Sequence, residues 1–151
     1  MHERRDTFMR ATANPGHPRR GAALVELSII LSLLLIIVFG CVDFGRFALT
    51  SIAVNNAARA GASAGSMNPF TPLTRPLWEQ AIRQAVVSEI SGIPGFREER
   101  LTVDPPEIHR DEGATMRVRV NVSYPFEPVV PWFVIPDRFT VARTVEMRVI
   151  R

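Results

Sequence analysis

Residues 21–42 read GAALVELSIILSLLLIIVFGCV, an apolar run that contains a single carboxylate, Glu26. As an α-helix rising about 1.5 Å per residue, residues 22–42 extend about 31 Å, which matches a hydrocarbon core about 30 Å thick. The run therefore predicts one membrane-spanning helix. Because an ionisable group inside such a span costs roughly 2.5–3.5 kcal/mol on insertion scales, we interpret Glu26 as a functional residue.

The excess positive charge of the chain lies before this run. Residues 1–21 carry five of the 18 arginines against Glu3 and Asp6, a net charge of +3, whereas residues 22–151 carry 13 arginines and 13 acids. Because the excess is confined to this basic leader, the composition does not indicate a nucleic-acid-binding surface. Arginines beside a span favour a cytoplasmic N-terminus, which places the residues after Val42 outside the cytoplasm.

Three alternatives for this N-terminus leave Glu26 without a partner. A secretory signal peptide has 7 to 15 apolar residues and a nearby small-x-small cleavage site, but here the run is longer and the nearest good triplets of this kind are residues 58–60 and 62–64. A lipoprotein lipidated at Cys41 would need a small residue where Phe39 stands. The third alternative is an uncleaved membrane-anchored extracytoplasmic binding module, with Glu26 reaching the cytoplasmic headgroups.

A fourth interpretation explains the carboxylate. Residues 21–26, GAALVE, resemble the type IV prepilin signature. The resemblance implies that a prepilin peptidase cleaves after Gly21 and that Glu26 pairs with the new ammonium of Ala22 on a neighbouring subunit. Glycine suits this bond, since the absence of a Cβ lets a peptidase approach the backbone closely. A buried carboxylate with a partner is tolerated, whereas an unpaired one is costly.

The helical pattern continues beyond the span. No proline occurs between Val42 and Pro69, and residues 53–64, AVNNAARAGASA, are mostly small, as is typical of a helix that lies very close to another element. Nearer the membrane, one face of the predicted helix is apolar. It consists of Phe44, Phe47, Ala48 and Ile52.

Two motifs in this helix extend the resemblance. Residues 42–46, VDFGR, and residues 53–62, AVNNAARAGA, are similar to the TadE-like family, minor pilins or pseudopilins of the tight-adherence (type IVb, Flp) pilus machinery. The resemblance implies a role in assembling an adhesion pilus, with other pilin or pseudopilin subunits and the inner-membrane platform as partners. It also implies a single-pass protein of the bacterial inner membrane or the pilus itself. For Asn55, Asn56 and Arg59, a solvated helix face is an equal alternative.

The remaining sequence predicts a small α+β fold. Residues 76–90 read as an amphipathic helix with Pro76 in its first turn, and residues 116–123 alternate as a strand with one wet face. We also predict a short strand at 101–103 and a final strand from Phe139 with a register change. Residues 124–136 contain four prolines and predict a broken connection.

The predicted organisation is a long transmembrane helix that continues into a small pilin-like extracytoplasmic domain with one further helix and a small antiparallel sheet. Its segments are a cytoplasmic leader (1–21), a transmembrane helix (22–42), its extension (43–65), a linker (66–76) and a small α+β domain (77–151).

The chain offers little material for catalysis or metal binding. Residues 104–112 include His109 and four carboxylates, but the spacing is irregular and Pro105 and Pro106 interrupt it, so we predict a solvated loop. His109 is the only histidine outside the leader, and the only cysteine, Cys41, lies in the span. We therefore expect no enzyme activity, no metal and no cofactor.

Overall fold

The computed structural model describes residues 18–68, 71–110, 115–130 and 138–149, and it divides the chain into two compact units, 1–38 and 39–151. The elements follow the predicted α+β order, which confirms the fold class. They are helix α1 (Pro18–Met67), helix α2 (Arg75–Ile90), a 3-10 turn (Glu98–Arg100), and strands β1 (Thr102–Val103), β2 (Glu107–Arg110), β3 (Met116–Phe126) and β4 (Phe139–Arg148).

The described part of the first unit is the N-terminal portion of α1. Its large apolar side chains, such as Leu24 and Ile29, are exposed. Among the described residues, α1 is the one helix long and apolar enough to cross a membrane. So much contiguous apolar surface is unfavourable in water but suits a lipid environment.

Strand β3 is the centre of an antiparallel sheet in the second unit. Strand β4 pairs with one edge of β3 over ten residues, while β1 and β2 follow one another along the opposite edge. The predicted strands at 116–123 and from Phe139 are confirmed. The predicted register change is wrong, since Arg143 faces the same side as Val141 and its guanidinium donates to Ser51 Oγ at 3.3 Å.

Two segments predicted as irregular are strands in the structure. Residues 107–110, placed in a solvated loop by the sequence, pair with residues 116–119 of β3. Strand β3 also runs through Pro125 to Phe126 instead of breaking at Tyr124. The Asn121 carbonyl accepts a hydrogen bond from the Asp104 N–H on the β1 side of β3. Because backbone groups of alternate residues point to the same edge of a strand, the nitrogen of Pro125 also faces the β1 side. The described pairing on that side ends at Ser123. No ladder hydrogen bond is therefore lost.

The core forms where the C-terminal part of α1 meets α2 and β3. Small residues of α1 allow this close approach: Ala57, Ala58 and Ala62 are fully buried. A Cβ built on Gly61 would lie 2.6 Å from Val86 Cγ2 of α2 and 3.3 Å from Val120 Cγ1 of β3. The predicted close packing of the small-residue segment is confirmed.

Both helices bury narrower faces than the sequence predicts. On α2 the buried residues are Trp78, Ile82, Val86 and Ile90, whereas Leu77 is 68% exposed. On α1, Phe47 packs against the core, but Phe44 and Ile52 remain exposed. One sheet face can cover only one stripe of each helix. Trp78 is a core residue.

Candidate functional site

The predicted processing residues lie together at the start of α1. Gly21, Ala22 and Glu26 are all exposed, and the helix begins upstream of them at Pro18. The spacing of four residues places Ala22 and Glu26 on the same helix face, one turn apart. The Gly21–Ala22 bond is helical here, and glycine is about 1 kcal/mol less favourable than alanine in a helix, which makes this turn easier to open.

Two serine side chains of the span form hydrogen bonds within their own helix. The hydroxyls of Ser28 and Ser32 each donate to the carbonyl four residues earlier, at 2.8 Å. Hydroxyl groups in membrane-spanning helices commonly form hydrogen bonds of this kind, because lipid hydrocarbon offers no acceptors. Glu26 differs, because a carboxylate requires donors and the helix backbone beside it offers only carbonyls and N–H groups already bonded.

A second cluster lies just after the apolar run and is built around Asp43. This carboxylate is only 7% exposed. The Val129 N–H donates to its Oδ1 at 2.8 Å, the Val130 N–H donates to its Oδ2 at 3.3 Å, and Arg46 Nη1 lies 3.4 Å from Oδ1. Two backbone donors and a guanidinium thus neutralise a charge removed from water. Asp43 fastens the 127–130 segment to α1.

Arg46 and three aromatic rings complete this cluster. The Arg46 guanidinium lies 5.5 Å from the centre of the Phe126 ring and donates to the Glu127 carbonyl at 3.4 Å. The Phe47 ring packs against Phe126 and Phe139 with centroid separations of 5.7 and 5.6 Å. These distances are those of favourable cation–π and aromatic contacts.

The cluster borders an open apolar groove of about 430 Å³, which we call the juxtamembrane groove. It is lined by Gly40, Asp43, Phe44, Phe47, Phe126, Pro128 and Phe139. Among these lining residues Asp43 alone is ionisable. The groove is therefore suited to an apolar occupant and not to a charged substrate.

Two carboxylates in or next to the sheet are held by arginines. Glu127 accepts from Arg100 at 3.2 Å and from Arg138 at 2.6 Å, and the hydrogen bond from Arg100 is the main reason that the pKa of Glu127 is lowered. The hydrogen bond from Arg119 likewise lowers the pKa of Glu146. Both carboxylates are ionised at neutral pH. Glu146 pairs across strands with Arg119 of β3, whereas Glu127 joins the end of β3 to the 3-10 turn and to Arg138.

The acidic patch at 104–112 is divided among such pairs. Asp104 accepts from Asn121 at 2.6 Å, Glu107 accepts from Arg119 at 3.2 Å, and His109 lies 3.6 Å from Glu146. Asp111 and Glu112 lie outside the described residues. Within the described ranges no three histidine, cysteine or acidic side chains form a group that could hold a metal ion. Cys41 lies on α1 as an exposed thiol.

The Asp43 cluster is what the sequence interpretation missed. It treated residues 42–46 only as a family motif, and nothing local indicates that the partners of Asp43 lie 86 residues further on. The available signal was an acid and an arginine three residues apart at the end of an apolar run, a spacing that puts both side chains on one helix face.

A long apolar helix whose later turns complete the core of a small α+β unit is consistent with a membrane-anchored, pilin-like architecture. The family comparison agrees: residues 21–63 match the family model described as TadE-like protein, which confirms the resemblance seen in the motifs. The chain thus carries a TadE-like segment over its apolar run and the helix that follows. No curated protein and no solved structure matched the chain.

The matched segment contains the processing residues and the α1 part of the Asp43 cluster. Gly21, Ala22 and Glu26 lie at its start, and Asp43 and Arg46 lie in its middle. Of the polar residues in the second motif, Asn56 and Arg59 are exposed and Asn55 is half-buried. The solvated-face interpretation therefore fits Asn56 and Arg59.

Proposed function

We propose that a prepilin peptidase cleaves this chain after Gly21 and that the product acts as a minor pilin or pseudopilin in assembly of a tight-adherence pilus. The proposal rests chiefly on one observation: within the TadE-like segment, Glu26 lies on an exposed apolar helix four residues after Ala22. The protein acts by association and not by catalysis. Its partners are the peptidase, other pilin or pseudopilin subunits, the inner-membrane platform and the bilayer.

Pairing between Glu26 and the N-terminal ammonium of Ala22 explains why cleavage precedes assembly. Before cleavage, residue 22 contributes a neutral peptide group, so Glu26 has no cationic partner there. Cleavage creates an ammonium on Ala22, and two subunits packed side by side then neutralise an amine and a carboxylate that are each costly in lipid. The basic leader keeps the N-terminus on the cytoplasmic side, and the compact unit lies outside the cytoplasm.

Replacing Glu26 with glutamine is expected to leave cleavage intact and to abolish or strongly reduce piliation. The amide keeps the size of the side chain but cannot neutralise the ammonium. The measurement is the yield of sheared pili, together with the mass of the membrane-extracted subunit. Ser28→Ala is the matched control, because it removes a polar group from the same stretch of helix without removing a charge.

Normal piliation in the Glu26→Gln variant would remove Glu26 from the mechanism. Loss of cleavage in the same variant would instead assign Glu26 to peptidase recognition. Glu26→Asp keeps the negative charge but shortens the side chain by one methylene group. We expect this variant to assemble pili partially, which would show that the length of the side chain matters as well as its charge.

A further inference from the structure

The juxtamembrane groove lies where the apolar run ends. Its lining includes Gly40, inside the run, and Asp43, the first residue after it. Because the 21 residues of the run are about as long as the hydrocarbon core is thick, Gly40 cannot lie far outside the hydrocarbon without drawing Arg19 and Arg20 into it at the opposite end. Membrane insertion therefore places this groove at the bilayer surface.

The carboxylate in the groove lining, Asp43, already has hydrogen-bond donors and a cation beside it, so an apolar molecule can lie next to it. Both oxygens of Asp43 accept hydrogen bonds from the backbone of Val129 and Val130, and Arg46 supplies the compensating positive charge. The rest of the lining is phenyl rings, a proline and a glycine. A carboxylate with its donors already in place can lie beside lipid at far lower cost than a solvated one.

Two apolar side chains project from segments that Asp43 joins. Phe44 on α1 is 72% exposed, and Val129 on the 127–130 segment is 60% exposed. The position of Phe44 is set by α1 itself. Val129 comes from a distant part of the chain, and the hydrogen bond from its N–H to Asp43 holds it here. Arg46, whose side chain is 47% exposed, supplies a cation beside them that can reach lipid phosphate.

We propose that the juxtamembrane groove and the adjoining Val129 together form a lipid-seating surface, in which Phe44 and Val129 enter the interface between acyl chains and headgroups and Asp43 holds the 127–130 segment against the membrane. The occupant is phospholipid, because Gly40 in the groove lining belongs to the same apolar run that is long enough to span the hydrocarbon. The inference rests on the membrane anchoring in the proposed function, but it requires neither cleavage nor pilus assembly.

The test uses the full chain with Cys41→Ser, reconstituted at low density into phosphatidylcholine vesicles. A nitroxide is attached at Val129→Cys, and its collision rates with oxygen and with a water-soluble nickel chelate are measured. We expect an oxygen-to-nickel ratio several-fold higher than at Leu73→Cys. Leu73 is the matched control, since it is 92% exposed and follows the C-terminal end of α1. That end of the helix, at Met67, is about 36 Å along the helix axis from Asp43.

A ratio at Val129 equal to that at Leu73 would overturn the proposal. Poor access of both reagents would also overturn it, because a protein surface and not lipid would then cover the groove. Adding Asp43→Ala should shift the Val129 label toward water, and an unchanged ratio would overturn the role given to Asp43. A chain that fails to float with the vesicles would contradict membrane anchoring itself, so the two failures are distinguishable.

Discussion

Replacing Trp78 with alanine is expected to lower the free energy of unfolding of the compact unit by about 3–5 kcal/mol, the usual range for deleting a buried large aromatic side chain. Trp78 is 4% exposed, and its indole Nε1–H donates to the Gly65 carbonyl at 3.0 Å. Small domains are typically stable by only about 5–15 kcal/mol, so this loss is a large share of the total.

The expected loss reflects two separate contacts. The indole fills the space that Gly65 leaves open, where a built Cβ would lie 3.3 Å from Trp78 Cζ2. It also occupies a carbonyl near the end of α1 that otherwise has little access to donors. Trp78→Phe keeps most of the packing and removes the donor, and we expect an intermediate loss.

Urea unfolding of the full chain in detergent micelles, followed by pulse proteolysis, measures these differences. Leu77→Ala is the matched control, because Leu77 is the preceding residue on the same helix yet is exposed, and exposed substitutions usually change stability by less than about 0.5 kcal/mol. Equal effects at Trp78 and Leu77 would show that α2 does not pack against α1 as described.

Substituting alanine for Gly61 and for Gly45 is expected to change stability in opposite directions. At Gly61 the new methyl group meets Val86, whose β-branched side chain has little freedom to move, and overpacking costs about 1–3 kcal/mol. This cost exceeds the helix-propensity gain of at most about 1 kcal/mol. At Gly45 nothing lies within 4 Å of the built Cβ, so only the gain remains.

The same unfolding assay compares the two variants. We expect Gly61→Ala to be less stable than Gly45→Ala by about 1–3 kcal/mol, the cost of overpacking alone. Similar stabilities for the two would contradict the close approach of α1 to α2 and β3. Since both substitutions add the same methyl group to the same helix, the unfolded states are matched.

Regular periodicity is what made the fold predictable. Trp78, Ile82, Val86 and Ile90 repeat every four residues, and Val118, Val120 and Val122 repeat every two, so both elements follow from local sequence. The run of small residues in α1 likewise predicted close packing without naming its partners.

Errors arose where tertiary pairing decides the outcome. Pro125 reads as a strand breaker, but its nitrogen turns to the side of β3 where the described pairing has ended, so the strand continues. The 107–110 segment has weak strand character and becomes β2 by pairing with β3. Leu77 looks like part of the apolar face and is left exposed because the buried stripe of α2 is one residue wide per turn.

The candidate sites divide in the same way. Gly21, Ala22 and Glu26 form a local motif in one helix, so sequence alone was sufficient to propose them. The Asp43 cluster joins two segments 86 residues apart, and its donors are backbone N–H groups that carry no side-chain signature. A contact of this kind is visible only in the folded chain.

The most direct test of the proposed function is the mass of the mature N-terminus, measured on the chain extracted from membranes of cells that make the tight-adherence machinery. Cleavage after Gly21 predicts that Ala22 is the first residue, and Gly21→Val should retain the leader because a Cβ then obstructs the peptidase. An intact residue 1 or 2 in the unsubstituted chain would show an uncleaved anchor and contradict the proposal. A lipid on Cys41 would contradict it equally.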